Sequence, residues 1–245
     1  MMQDQNKIYI QEVEMLKLQK KRTTRIFLPE AYHKFPERRF PVIYMFDGQN
    51  IFNQETAYHR PWMVHRSINK LPLKDQAIIV GIDNGHGDRL KEYLPTDFGK
   101  YQGVGHTFIQ FIIDELKPKV DIHLRTLTTR NDTYIVGSSM GGLLAFYAAT
   151  HFSDTFGKAG VLSPAFWIYP PIYDIPLAQK SKIYIMGSRA ESRTMAATIE
   201  KAYWRLKKMG YDDHEMYVNI KDKGKHSEIL WRQAFTEMYK WLQQD

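Results

Sequence analysis

The sequence runs to 245 residues, 43% of them hydrophobic and 13% aromatic, which is enough to bury a sizeable core and too apolar for a disordered chain. The absence of cysteine excludes disulfides, thiolate zinc sites and a cysteine nucleophile. The formal net charge of +7 is dispersed, with clusters at Lys20–Arg22, Arg38–Arg39, Lys207–Lys208 and Lys221–Lys225; no nucleic-acid motif accompanies it, so it reads as a solvated surface that can also attract anionic substrates.

The opening residues, MMQDQNKIYIQEVEML, have no basic segment followed by an apolar one, and no apolar run reaches the length of a membrane span. The expectation is a cytoplasmic protein without membrane or nucleic-acid partners. Two strands come first, Ile8 to Met15 and Arg22 to Leu28, the second ended by Pro29. FPVIYMFDG and QAIIVGID read as buried strands, continuous in apolar residues. The glycine-rich stretch NGHGDRLKEYLPTDFGKYQGVG reads as a polar loop, and HTFIQFIIDELKPKV as a helix that stops near Pro118. DTYIVG is the next strand, with a helix from Met140 directly behind it. KAGVLSP and SKIYIMG are two more strands, followed by a helix from about Ser192 to Lys208 that Gly210 ends. HEMYVNI is a last strand and SEILWRQAFTEMYKWLQ a closing helix. Strand alternating with helix predicts one α/β domain over residues 1–245: a mostly parallel, mixed sheet of about eight strands, antiparallel at its N-terminal side, with helices on both faces.

The stretch with chemistry in it is YIVGSSMGGLLAFYAA. Gly137-Ser138-Ser139-Met140-Gly141 fits Gly-x-Ser-x-Gly with Ser139 at the centre, between a strand and a helix of small residues. A serine hydroxyl is a poor nucleophile unless it is exposed and paired with a base; a sharp strand-to-helix turn exposes it, and the helix N-terminus aims N–H groups at the same spot. On such a turn the acid and then the histidine follow in chain order. Three histidines lie beyond Ser139. His151 is about three turns along the same helix, His214 opens the last strand, and His226 lies in the polar loop KDKGKHSE, where a base would enter. His226 is the candidate base.

For the acid, Glu191 in GSRAES follows the right strand; it could also serve as a first-turn carboxylate of the next helix. Asp212 and Asp213 fit a turn better, and Asp222 is close in sequence to His226. An oxyanion needs two donors, and the N–H groups of Met140 and of Gln49, in the loop FDGQNIF, are the candidates. Trp167, Tyr169 and Tyr173 in SPAFWIYPPIYD, with Trp62, would form an aromatic wall or simply pack the loops. Asp47 and Arg89 are candidates for binding polar substrate groups; Arg89 and Glu92 could equally brace their loop through an ion pair. The histidines are scattered and there is no His-Glu-x-x-His, so neither metal nor other cofactor is expected.

Taken together, MFDGQNIF, GIDNG followed by RLKEY, GSSMGG, SPAFW and KHSE resemble the putative-esterase branch of the α/β-hydrolases, from about Lys21 to the end of the chain. That branch includes enterochelin-esterase-like proteins, feruloyl and acetyl esterases of carbohydrates, and S-formylglutathione hydrolases. DGQN and GIDNG are most similar to the enterochelin-esterase-like subgroup, though the extra N-terminal domain frequent in siderophore esterases is not expected here. The resemblance implies a three-layer α/β-hydrolase sandwich without a large cap domain. It also implies a Ser139–His226 pair, an acid matching Glu191, and backbone donors at Gln49 and Met140. The expected reaction is hydrolysis of a small-molecule carboxylic ester, such as an acylated carbohydrate or a siderophore-type ester. An acyltransferase with the same nucleophile and a non-catalytic binding protein on the same scaffold stay open, as does a homo-oligomer.

Overall fold

A computed structural model describes residues 7–176 and 179–244. The chain opens with a hairpin, β1 (Ile8–Met15) and β2 (Lys20–Phe27), paired antiparallel along its whole length. A short helix α1 (Glu30–Lys34) leads to β3 (Val42–Phe46), α2 (Val64–Asn69) and β4 (Ile78–Ile82). After β4 come α3 (Arg89–Tyr93), α4 (Gly105–Phe111) and α5 (Lys117–His123). Then β5 (Thr133–Ser138), α6 (Met140–His151), β6 (Lys158–Leu162), β7 (Lys182–Ser188), α7 (Met195–Lys208), β8 (Met216–Lys221) and α8 (Glu228–Gln243) complete the fold.

The eight strands form one sheet in the order β1-β2-β4-β3-β5-β6-β7-β8. β2 pairs antiparallel with β4, and all neighbours from β4 to β8 run parallel. The central strands are apolar without alternation because both faces are covered: every residue of β3, β4 and β5 is buried. The two-residue period then sorts them. Val42, Tyr44 and Phe46 join a layer with α4, α6 and α7, while Ile43 and Met45 join a layer with α2 and α8. This is the three-layer α/β-hydrolase sandwich that the alternation and the resemblance predict. Between β6 and β7 the described residues form only two short helical turns, Phe166–Ile168 and Pro170–Tyr173, and no cap. Among the described residues no helix is long and apolar enough to cross a membrane.

Two expectations need correction. The helix after Gly105 does not stop at Pro118: α4 passes through a wider π turn (Ile112–Leu116) into α5, and Pro118 sits in that segment's first turn. A proline ring collides with the carbonyl four residues back in a regular helix; the widened turn relieves that clash and leaves the missing N–H without consequence. The stretch expected as a polar loop after β4 holds α3, whose Tyr93 and Glu92 are buried.

Candidate active site

Ser139 joins β5 to α6 directly, at φ 57° and ψ −121°, a backbone conformation rare for a residue with a side chain. The C-terminal end of β6 and the segment just past it hold it there. The Ser139 N–H donates to the Leu162 carbonyl at 3.0 Å, and the Ser139 carbonyl accepts from Ala165 at 3.0 Å. Gly137 makes the turn possible: a Cβ on it would lie 2.3 Å from the Gly141 carbonyl oxygen. Ser139 is left half-buried at the floor of a cleft of about 360 Å³. A larger groove of about 500 Å³ lies elsewhere, between the β1–β2 hairpin and α5, but it shares no lining residue with the Ser139 cleft and contains no serine.

His226 lines the same cleft, entering from the loop between β8 and α8. Its Nδ1 is hydrogen-bonded to Glu191 Oε2 at 2.6 Å, with the Glu191 side chain 1% exposed and that of His226 34%. Glu191 sits just past β7, and its other oxygen accepts the Ser188 N–H at 2.6 Å and the Ser163 hydroxyl at 2.9 Å. The other carboxylates considered are engaged elsewhere: Asp222 with Arg189, Asp213 with Lys207, and Asp212 with the His214 and Glu215 N–H groups. His151 stacks on Tyr147 at the far end of α6, and His214 lies in the turn before β8. The Ser139 hydroxyl makes no hydrogen bond to His226; such bonds commonly tighten only once substrate is bound.

The loop after β3 forms the other wall. Asp47, at φ 56°, receives two bonds from Arg89 (2.7 and 2.8 Å) and one from Asn84 Nδ2 at 2.7 Å, and its N–H donates to the Tyr93 hydroxyl at 3.0 Å. Asp47 and Arg89 both border the cleft but are spent largely on each other, and Glu92 pairs with Arg22 instead. Burial opposes the Arg89 charge, yet its hydrogen bonds and attraction to Asp47 raise its pKa overall. A Cβ at Gly48 would sit 2.7 Å from the Gly81 carbonyl carbon, so only glycine lets this turn lie against β4. The next N–H groups, of Asn50 and Ile51, turn back to the Asp47 and Gly48 carbonyls. Among the turn and loop bonds of the described residues, none is donated by Gln49 or Met140.

Beyond Asn50 the chain leaves as a compact loop and returns at once: Trp62 N–H bonds the Asn50 carbonyl at 2.9 Å and Val64 N–H the Ile51 carbonyl at 3.0 Å. The loop brings Tyr58 and His59 to the rim, and the Tyr58 hydroxyl is hydrogen-bonded to His86 Nδ1 at 2.7 Å. Trp62 lines the cleft against Trp231, ring centres 5.8 Å apart. Trp167 is 43% exposed and is not among the cleft's lining residues; Tyr169 and Tyr173 pack the loops, bonded to Thr96 and Thr198. Sequence reasoning missed Ser163 and Trp231, although SPAFW and the closing helix contain them; nothing local marks Ser163 as a neighbour of Glu191 or Trp231 as a neighbour of Ser163 and His226. Among the described residues no group of three or more His, Asp or Glu is arranged to hold a metal ion.

The family described as Putative esterase matches this chain over residues 16–242. The chain belongs to that family. Membership makes this esterase a carboxylic ester hydrolase by class. It is 22% identical over 243 residues to the uncharacterised protein YbbA of Bacillus subtilis, covering 89% of this chain and 90% of YbbA. Its fold matches the BES protein of Bacillus cereus (TM-score 0.77, 15% identity, 100% of this chain and 97% of the other). It also matches the enterobactin esterase FES of Shigella flexneri, crystallised in the presence of enterobactin (TM-score 0.75, 19% identity), where it covers 96% of this chain and 58% of the longer FES chain.

Proposed function

We propose that the protein cleaves esters through an acyl-enzyme on Ser139. The observation that carries this reading is the 2.6 Å hydrogen bond between His226 Nδ1 and buried Glu191, in the cleft that the strained Ser139 also lines. In this scheme Ser139 Oγ attacks the ester carbonyl and passes its proton to His226 Nε2. Glu191 fixes the imidazole with Nδ1 protonated and stabilises the imidazolium. The N–H groups of Met140 and Gln49 hold the oxyanion, each worth roughly 3 kcal/mol in the transition state. His226 then protonates the departing alcohol, and a water repeats the attack to release the acid. Trp62 and Trp231 on one side and Tyr58 on the rim would hold the acyl or alcohol part, with Asp47–Arg89 as a polar border. With no cap among the described residues the cleft has room for bulky esters, and the likeness to an enterobactin esterase makes siderophore-type esters the class to try first, with acylated carbohydrates next.

The test is hydrolysis of p-nitrophenyl acetate and longer acyl homologues by wild type, Ser139→Ala and His226→Ala. Each variant should lose at least about a thousandfold in kcat/KM while keeping its fold. A wild type inert to all of them, or a Ser139→Ala protein that keeps its rate, would sink the proposal. Product analysis with an added alcohol separates hydrolysis from acyl transfer.

A further inference from the structure

Glu191 is a buried carboxylate whose only basic side chain within ion-pair distance, among the described residues, is His226 itself. A negative charge removed from water needs hydrogen bonds, and here one of them comes from a second strained serine. Ser163 follows the last residue of β6, is fully buried and has φ 44°. Its N–H is tied to the Met186 carbonyl of β7 at 2.5 Å. Its hydroxyl stands 2.9 Å from Glu191 Oε1 and 2.8 Å from Trp231 Nε1.

The chemistry of the partners fixes the direction of both bonds. An indole N–H can only donate and an ionised carboxylate can only accept, so Trp231 donates to Ser163 and Ser163 donates to Glu191. Every bond in the series points toward the carboxylate. Trp231 reaches the pair a second way, since its ring meets the His226 imidazole edge to face, centres 5.0 Å apart and planes at 89°. One indole thus steadies both halves of the Glu191–His226 pair, the acid through Ser163 and the base by contact.

We infer that Ser163 and Trp231 are positioning residues for the Glu191–His226 pair, holding the carboxylate in the rotamer that presents Oε2 to His226 Nδ1. The inference rests on the esterase reading for its kinetic consequence, though not for its geometric one. A merely structural role, satisfying a buried indole N–H, would cost stability and leave the pair where it is.

The experiment uses the whole chain and two readouts. Ser163→Ala should lower kcat for p-nitrophenyl acetate by about ten- to a hundredfold, the worth of one hydrogen bond to a charged group, with KM changed less than about twofold. The downfield proton resonance of the Glu191–His226 hydrogen bond, assigned by its absence in His226→Ala, should shift or broaden. Trp231→Phe, which keeps an aromatic ring but removes the donor, should move both readouts the same way by less. A folded Ser163→Ala protein with wild-type kcat and an unmoved resonance, even one of lowered Tm, overturns the inference. Should Ser163→Ala not fold, the same two readouts in Trp231→Phe decide it. If the wild type is inert or Ser139→Ala keeps its rate, the esterase reading fails separately. The resonance then decides alone: a shift in Ser163→Ala upholds the positioning role, and no shift removes it.

Discussion

His65 shows what a single buried side chain costs this protein. It lies on α2, 6% exposed, with the rings of Phe27 and Phe52 each centred 5.9 Å away and its Nδ1 without a partner. Burial, helped by the nearby Arg66 charge, pushes its pKa down to about 4. The folded protein therefore keeps His65 neutral where the unfolded chain, near 6.5, already takes up a proton. Between those values the unfolded state binds more protons, so stability present above about pH 6.5 is lost as pH falls toward about 4, to the extent of about 3 kcal/mol. His65→Gln should flatten that slope. Urea midpoints of the two proteins at about pH 7 and pH 5 would show it, and an unchanged slope would mean His65 is not the group responsible. At this scale the sequence exposes residues that carry a local pattern and hides those that do not. Ser139 is framed by glycines and His226 by a polar loop, whereas Ser163 and Trp231 meet across 68 positions of chain and look like any serine and any helical tryptophan.

The strand-to-helix turn is the element on which the site depends. Its tightness comes from Gly137, where a methyl group would collide with backbone and not with a movable side chain. Gly137→Ala is expected to destabilise the fold by at least about 2 kcal/mol, or to yield no folded protein, measurable by urea unfolding beside wild type. A variant of normal stability and activity would show that the turn can relax. Most elements are legible because their periods are clean: buried parallel strands are short apolar runs, and α7 and α8 each carry an apolar face. The helix through Pro118 is misread because proline is normally a stop signal, and no residue pattern announces a π turn that absorbs it. α3 is misread for a different reason. Glycines crowd its flanks, and what makes it a helix is burial of Tyr93 beneath Asp47, a tertiary contact.

Across the molecule, the antiparallel edge of the sheet is fastened to the segment after β4 by the buried pair Arg22–Glu92. Burial raises the Glu92 pKa, and the Arg22 charge opposes that rise. Removing one partner strands the other, so Arg22→Ala should cost about 3–5 kcal/mol, while Arg22→Met with Glu92→Leu should recover most of it. Urea unfolding of the single and double variants tests this, and a double variant no more stable than the single would remove the charge argument. The parallel sheet itself follows from alternation of strand and helix, but its order does not: β4 lies outside β3, and local patterns do not say on which side a crossover lands. The same architecture bears on how such proteins diversify. The loop between Asn50 and Trp62 is closed at its base by two backbone hydrogen bonds, Trp62 to Asn50 and Val64 to Ile51, and anchored by buried Ile51 and Phe52, so the residues beyond that base can change in length and composition with little effect on the sheet behind it. Descendants of one scaffold can therefore trade the outer part of this segment, with its Tyr58 and His59, and acquire new preferences while inheriting the strand-to-helix turn at Ser139.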